Sequence, residues 1–179
     1  MTRRLLQFGR VTALVTLVTT AGCGTALEAQ ASEQTEVAVA TQLLGAWRLV
    51  NWTQRLADGS ERPAQTDTGY LIYTSGNRMC AMLMDSRRPK WAPGAPATVA
   101  DAVARSAGYI SYCGSVQINA KEGFILHHVD VERNPNNIGT TRKRWFRFPG
   151  PDVLRLSIDA AELQSGVKES VLVWQRVVK

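Results

Sequence analysis

Hydrophobic and polar residues alternate in a series of short segments from Leu43 to the end of the chain. These segments are rich in Val, Ile, Trp, Tyr and Phe, and turn residues such as Ser75-Gly76-Asn77 separate them. Alternation with a period of two is typical of strands that bury one face. The pattern predicts eight strands, near residues 45–54, 68–75, 78–84, 109–119, 123–132, 140–148, 152–159 and 168–177.

One segment has helical character, Val99–Arg105, which follows a Pro-rich loop. Either Thr98 or Asp101 is suited to cap its first turn. Antiparallel strands joined mostly by tight turns can hide their edges by closing into an up-and-down barrel, and eight strands leave room inside for one small ligand. We therefore expect an all-β fold over residues 43–179, an eight-stranded antiparallel barrel with one short helix between strands 3 and 4. A flat sandwich is the alternative.

The chain before this region looks like a targeting segment. Met1–Arg10 contains three arginines and no acid, and the uncharged, largely apolar stretch Val11–Gly22 follows it. This is the arrangement of an export signal, and the stretch is too short for a transmembrane helix, which needs about 20 residues. We expect residues 1–22 to be a signal peptide and residues 23–42, which are polar and rich in small residues, to be a flexible tether.

Two cleavage sites compete in this region. Thr20-Ala21-Gly22-Cys23 resembles the lipobox of bacterial lipoproteins, in which the cysteine is lipidated and becomes the first mature residue. Ala29-Gln30-Ala31 is a small-x-small site for the ordinary signal peptidase, with cleavage after Ala31. We favour the lipobox. Resemblance to the lipoproteins then implies an exported protein, held in the cell envelope by a lipid anchor at Cys23, and Gly24 favours the outer membrane over the inner one.

Composition and the remaining cysteines narrow the function classes. The net charge of +6 includes three arginines in the first ten residues, so it overstates the charge of the barrel. The densest basic stretch, Arg142–Arg147, is better explained as a strand with a solvated face than as a nucleic-acid patch. Cys80 and Cys113 form a disulfide if their strands are neighbours, or remain two buried thiols. Neither has a second ligand at metal spacing, and we expect no metal and no cofactor.

The ends of the predicted barrel carry a resemblance to a known class. Gly45-x-Trp47 resembles the first strand of lipocalins, and Trp174-Gln175-Arg176 resembles their closing strand. Several internal motifs narrow the match to the bacterial and fungal lipocalin-like domain family over residues 43–177: Gly69-Tyr70-Leu71-Ile72-Tyr73, Tyr109-x-x-Tyr112-x-Gly114, His127-His128-Val129 and Pro135-Asn136-x-x-Gly139-Thr140. The resemblance implies that Arg176 packs over Trp47 at the closed end, a structural contact worth about 0.5–2 kcal/mol.

Strand alternation indicates which side chains face the interior. His127 shares a face with Ile125, Val129 and Val131, so it is expected to point inward, and Tyr112, Arg144 and Met79 are assigned inward by the same argument. An apolar cavity with a few polar groups is typical of a small-ligand site. Arg144 then either pairs with an internal acid or awaits an oxyanion or carbonyl group of a ligand, because an unpaired buried charge is costly.

Three functions are compatible with such a barrel. The first is binding of a small apolar or amphipathic ligand, with Tyr112, His127, Arg144 and Met79 in contact with it. The second is an isomerase, cyclase or hydratase in which His127 is the acid–base group, although no catalytic motif of the sequence calls for an enzyme. The third is a structural envelope lipoprotein with a filled barrel. We expect a ligand-binding protein with no nucleic-acid partner.

Overall fold

A computed structural model describes residues 35–90, 94 and 98–178 of the chain. The expected signal peptide, the lipobox with Cys23 and the alternative cleavage site at Ala31 lie outside these residues. Within the described part, no helix is both long and apolar enough to cross a bilayer.

In the described part of the chain, nine antiparallel strands form one sheet, and eight of them close it into a barrel. Closure is achieved by β1, which pairs with β3 along one edge and with β9 along the other. The strands are β1 (Gly45–Leu56), β2 (Glu61–Pro63), β3 (Thr68–Thr74), β4 (Arg78–Met84), β5 (Tyr109–Asn119), β6 (Phe124–Glu132), β7 (Thr141–Gly150), β8 (Val153–Ile158) and β9 (Val167–Arg176).

The prediction of a closed eight-stranded antiparallel barrel is therefore confirmed, and each of the eight predicted segments corresponds to a barrel strand. The ninth strand, β2, is a three-residue strand with all its residues exposed, and it pairs only with the second half of β1. Its sequence, Glu-Arg-Pro, has neither the alternation nor the β-branched residues that reveal a strand.

Among the residues that the structure describes, two α-helices lie outside the barrel wall. Helix α1 covers residues 35–43, immediately before β1, where the sequence predicted a loose tether. Most residues of this segment are polar or small, so the sequence shows no helical pattern of apolar positions. A few apolar side chains, such as Leu43, nevertheless pack the helix against the end of the barrel. Helix α2 (Val99–Ala107) lies between β4 and β5 as expected, and its N-cap Thr98 and Asp101 form a reciprocal capping box.

Helix α1 and Trp47 close one end of the barrel around a single arginine. The Arg176 guanidinium lies 4.1 Å from the centroid of the Trp47 ring, and the indole is fully buried. The same guanidinium donates hydrogen bonds of 2.7 Å to the carbonyl oxygens of Gln42 and Leu44 and one of 3.1 Å to Asp152. Arg176 thus ties the first strand, the last strand and α1 together.

A β-bulge in β6 changes which residues face the interior. Gly114 pairs with Val129 and Cys113 pairs with Val131, so Asp130 is an extra residue without a partner in β5. The extra residue reverses the alternation beyond it. Val131, expected inside, is therefore 63 % exposed, and the side chain of Glu132 is turned inward instead.

The two remaining cysteines are direct partners across β4 and β5, and a disulfide joins them on the outer face. Of the two alternatives left open by the sequence, the structure has the bridged one. It clamps the two strands beside the long connection that carries α2, because Cys80 and Cys113 lie on either side of that connection in sequence.

We expect Arg176→Ala to lower the free energy of unfolding by about 2–4 kcal/mol, because it removes the cation–π contact together with the hydrogen bonds to Gln42, Leu44 and Asp152. Urea unfolding followed by tryptophan fluorescence measures the change. Arg147→Ala is the matched control, since Arg147 is exposed and surface substitutions of this kind usually stay within about 0.5 kcal/mol. Equal losses in the two variants would contradict this account of the closed end.

Candidate functional site

His127 lies at the centre of the barrel between two buried tyrosines. It is 1 % exposed, its Nε2 lies 2.9 Å from the Tyr73 hydroxyl, and its Nδ1 lies 3.1 Å from the Tyr112 hydroxyl. The three side chains come from β6, β3 and β5, whose inward positions converge at this level of the barrel. We call this group the Tyr–His–Tyr triad.

Burial keeps all three members of the triad uncharged. It lowers the pKa of His127 to about 3, and the positive charge of Arg144 acts in the same direction. It raises the pKa of Tyr73 well above its ordinary value and raises that of Tyr112 as well. At neutral pH the triad is therefore a chain of neutral hydrogen-bonding groups.

Counting hydrogens in the triad leaves one phenol O–H without an acceptor. A neutral imidazole carries one N–H and one lone pair, so it donates to one tyrosine and accepts from the other. The tyrosine that accepts keeps its own O–H free, and neither hydroxyl makes another hydrogen bond to the described residues. The tautomer of His127 decides which tyrosine holds the spare hydrogen.

Two inward arginines of β7 are neutralised by acids from the loops and strand ends around them. Arg144 Nη1 donates to both carboxylate oxygens of Glu162, at 2.9 and 2.8 Å. Arg142 Nη2 donates to Glu132 at 2.6 Å, and the Arg142 guanidinium lies 4.4 Å from the centroid of the Tyr112 ring. Of the alternatives stated for Arg144, the structure has the pairing with an acid, Glu162.

An inner cavity of about 80 Å³ adjoins the triad, and its lining is mostly apolar. It is lined by Trp52, Leu71, Ala81, Leu83, Ile110, Tyr112, His127, Arg142, Arg144, Leu156, Ile158, Leu172 and Trp174. A more polar cavity of about 510 Å³, which we call the mouth, shares Trp52 and Ile110 with it. The inner cavity is smaller than the roughly 300–1,000 Å³ of typical ligand pockets, whereas the volume of the mouth is within that range.

A third space, of about 200 Å³, lies on the other side of the triad, between α1 and the turn that joins β3 to β4. Tyr73 contributes to its lining and Tyr112 to that of the inner cavity. The triad therefore stands between two spaces of the barrel, with one phenol on each side.

The structure brings together three of the four residues expected to contact a ligand: Tyr112, His127 and Arg144 line the inner cavity. Met79 faces inward and is 1 % exposed, but it belongs to the packed core and is not among the residues that line this cavity. Trp47 and Arg176 lie at the closed end, in the structural contact described above.

Several residues of the site were not predicted. Tyr73 could have been found, because it alternates with Leu71 on the inner face of β3. The bulge placed Val131 on the wrong face and so concealed that Glu132 is inward, and Glu162 lies in a 3-10 turn (Ala160–Glu162) that has no strand periodicity. Arg142 lies two residues before Arg144 and therefore on the same face of β7, but the basic stretch around it was interpreted as a solvated face.

This arrangement suits binding better than acid–base chemistry. Because its pKa is lowered to about 3 and phenols engage both ring nitrogens, His127 has no acidic imidazolium proton to give and no free lone pair to take a proton at neutral pH. No three His, Cys, Asp or Glu side chains cluster as metal ligands within the described residues. The site can hold an uncharged molecule and offer it hydrogen-bond donors.

The closed barrel, its Trp–Arg end and its inner cavity define a lipocalin-like fold. The family model described as the lipocalin-like domain matches residues 44–177, so the chain belongs to that family. No curated protein matches the chain. Among solved structures, a redesigned β-barrel is similar, with 13 % identity, a TM-score of 0.40, and coverage of 78 % of this chain and 95 % of that one.

We expect the stability of the barrel to fall as the pH drops from about 6.5 toward 3. In this window the unfolded chain protonates His127 and the folded barrel does not, so acid favours unfolding. The maximal slope for one such group is about 1.4 kcal/mol per pH unit. Urea unfolding at a series of pH values measures the slope.

His127→Gln should remove this slope. The glutamine side chain can donate a hydrogen bond to one tyrosine and accept one from the other, but it does not titrate. His128→Gln is the matched control, since His128 lies on the outer face and contacts Thr141. A slope that survives His127→Gln and disappears in His128→Gln would contradict the assignment.

Proposed function

We propose that this protein is an exported lipocalin-like binding protein that holds a small apolar or amphipathic molecule inside its barrel. The main support for this proposal is the inner cavity. It lies in the core of a closed barrel, and apolar side chains from β3, β4, β5, β8 and β9 make up most of its wall. Membership of the lipocalin-like domain family supports ligand binding in general.

The cavity also favours binding over the two other functions considered. An enzyme that uses His127 as its acid–base group would need a titratable imidazole, and burial between two phenols removes that property. A purely structural lipoprotein would gain by filling its interior, since empty space in a core costs packing energy. A void beside hydrogen-bonding groups is instead what a binding site requires.

The proposal includes export and a membrane anchor. Residues 1–22 would be removed as a signal peptide, Cys23 would carry the lipid, and the barrel would work in the cell envelope, at the outer membrane. The Cys80–Cys113 disulfide supports this proposal, because disulfides persist in oxidising compartments and are rare in a reducing cytoplasm.

We expect 2-methyl-1-hexene, an apolar probe, to bind in the inner cavity and to shift the methyl NMR signals of Leu71, Leu83 and Ile110. Ala81→Leu should abolish these shifts, because Ala81 lines the cavity and the added methyl groups occupy it. Ala57→Leu, the same change in an exposed turn, should leave the titration as in the wild type. Equal binding by both variants would show that the probe sits elsewhere and would overturn the proposed site.

We expect the full chain, expressed in a bacterium with two membranes, to fractionate with the membranes and to begin at a lipid-modified Cys23. Cys23→Ser should release it to the soluble fraction, because the acyl chains that hold it can no longer be attached. Thr20→Leu, which brings the lipobox closer to its usual form, should leave anchoring intact. Intact-mass measurement distinguishes these outcomes from a soluble wild-type chain that begins at residue 32.

A further inference from the structure

The inner cavity is bordered by an indole whose N–H has no acceptor among the described residues. Trp174 is 1 % exposed and lines the cavity, and its Nε1 makes no hydrogen bond to any residue that the structure describes. Trp52 lines the same cavity, but its Nε1 donates to Ser170 at 2.8 Å. A buried donor without a partner destabilises a protein, so Trp174 points to a group that is supplied from outside the chain.

The triad supplies a second spare donor. When the imidazole hydrogen is on Nδ1, His127 donates to Tyr112, and Tyr112, which lines the inner cavity, keeps its own O–H free. When it is on Nε2, the spare hydrogen belongs to Tyr73, on the opposite side. An acceptor in the inner cavity would therefore favour the Nδ1–H tautomer.

The charges of the cavity wall are balanced, whereas its hydrogen-bond donors are not. Arg144 and Arg142 are the charged side chains of the lining, and each is paired with a carboxylate, Glu162 and Glu132. All the hydrogen bonds that Arg144 makes to described residues use Nη1, which leaves its Nη2 and Nε without an acceptor. An incoming anion would meet no net positive charge, but an acceptor atom would meet several donors.

We propose that the ligand is an uncharged molecule that places a hydrogen-bond acceptor, such as the carbonyl oxygen of a ketone, ester or amide, against the donors of Trp174 and Tyr112. This inference rests on the proposed function, and it selects one ligand chemistry for the same cavity. Burying an anion beside already paired arginines costs desolvation energy that no free cation offsets, so carboxylates are disfavoured.

Three probes of one heavy-atom skeleton test the proposal: 2-hexanone, pentanoate and 2-methyl-1-hexene. They differ only in whether the end carries a neutral acceptor, an anion or no acceptor. In NMR titrations of the wild type, 2-hexanone should bind, and pentanoate should bind at least about tenfold more weakly than 2-hexanone. Tighter binding of pentanoate would overturn the proposal and leave the proposed function standing. Failure of all three probes to bind the folded barrel would overturn both.

The preference for the ketone over the alkene should depend on Trp174. Trp174→Phe should lower the ratio of the two affinities about 3- to 10-fold, the worth of one hydrogen bond, and the alkene corrects for any change in cavity shape. In the matched control Trp52→Phe, both affinities should change by the same factor, because the Trp52 N–H is already engaged by Ser170. An unchanged ratio in Trp174→Phe would overturn the role of the indole.

Two further measurements separate charge from hydrogen bonding. Glu162→Gln removes the partner charge of Arg144 and should strengthen pentanoate binding at least about tenfold, with little effect on 2-hexanone. Saturation of the wild type with 2-hexanone should raise the Nδ1–H fraction of His127, measured from its ¹⁵N shifts. If Glu162→Gln leaves the affinity for pentanoate unchanged, the paired charge of Arg144 is not what disfavours anions. If saturation with 2-hexanone leaves the Nδ1–H fraction unchanged, Tyr112 does not donate to the ligand.

Discussion

Pairing of the first strand with both the third and the last is the constraint on which the rest of the structure depends. Because β1 bonds to β3 and β9 at once, the sheet has no open side, and every second residue of eight strands is forced into one enclosed space. Polar groups in that space must find partners within the wall. Arg142 and Arg144 meet this requirement through their ion pairs, and His127 meets it through its hydrogen bonds to two tyrosines.

Much of the barrel could be predicted because the alternation of apolar and polar residues within each strand shows which side chains face the interior. Alternation along β4 placed Met79, Ala81 and Leu83 inside, and the same argument placed Tyr112 and His127 correctly. The helix α1 could not be found in this way, since its polar sequence acquires a packed face only through the barrel end beneath it. The periodicity of a sequence indicates which face of an element is apolar, but it does not indicate a helix whose conformation depends on tertiary contacts.

The electrostatics of the site could not be predicted from strand patterns for a related reason. Parity indicates that Arg144 points inward, but its partner Glu162 is supplied by a 3-10 turn 18 residues away. Glu132 is inward only because of the bulge that precedes it. The sequence therefore revealed which polar groups enter the core, while the balance of charge inside it depends on loops and irregularities that have no period.

The bulge at Asp130 has a consequence for how this strand can vary. Deletion of Asp130 would join Val129 directly to Val131, and regular alternation would then keep Val131 outside and Glu132 inside, opposite the same β5 residues as now. If β6 instead kept its length and paired without the bulge, Asp130 would lie opposite Cys113, Val131 would enter the interior and Glu132 would turn to solvent, leaving the Arg142 guanidinium without its counter-ion. The register of β6 beyond the bulge, more than the residue at position 130, is therefore what this barrel must preserve.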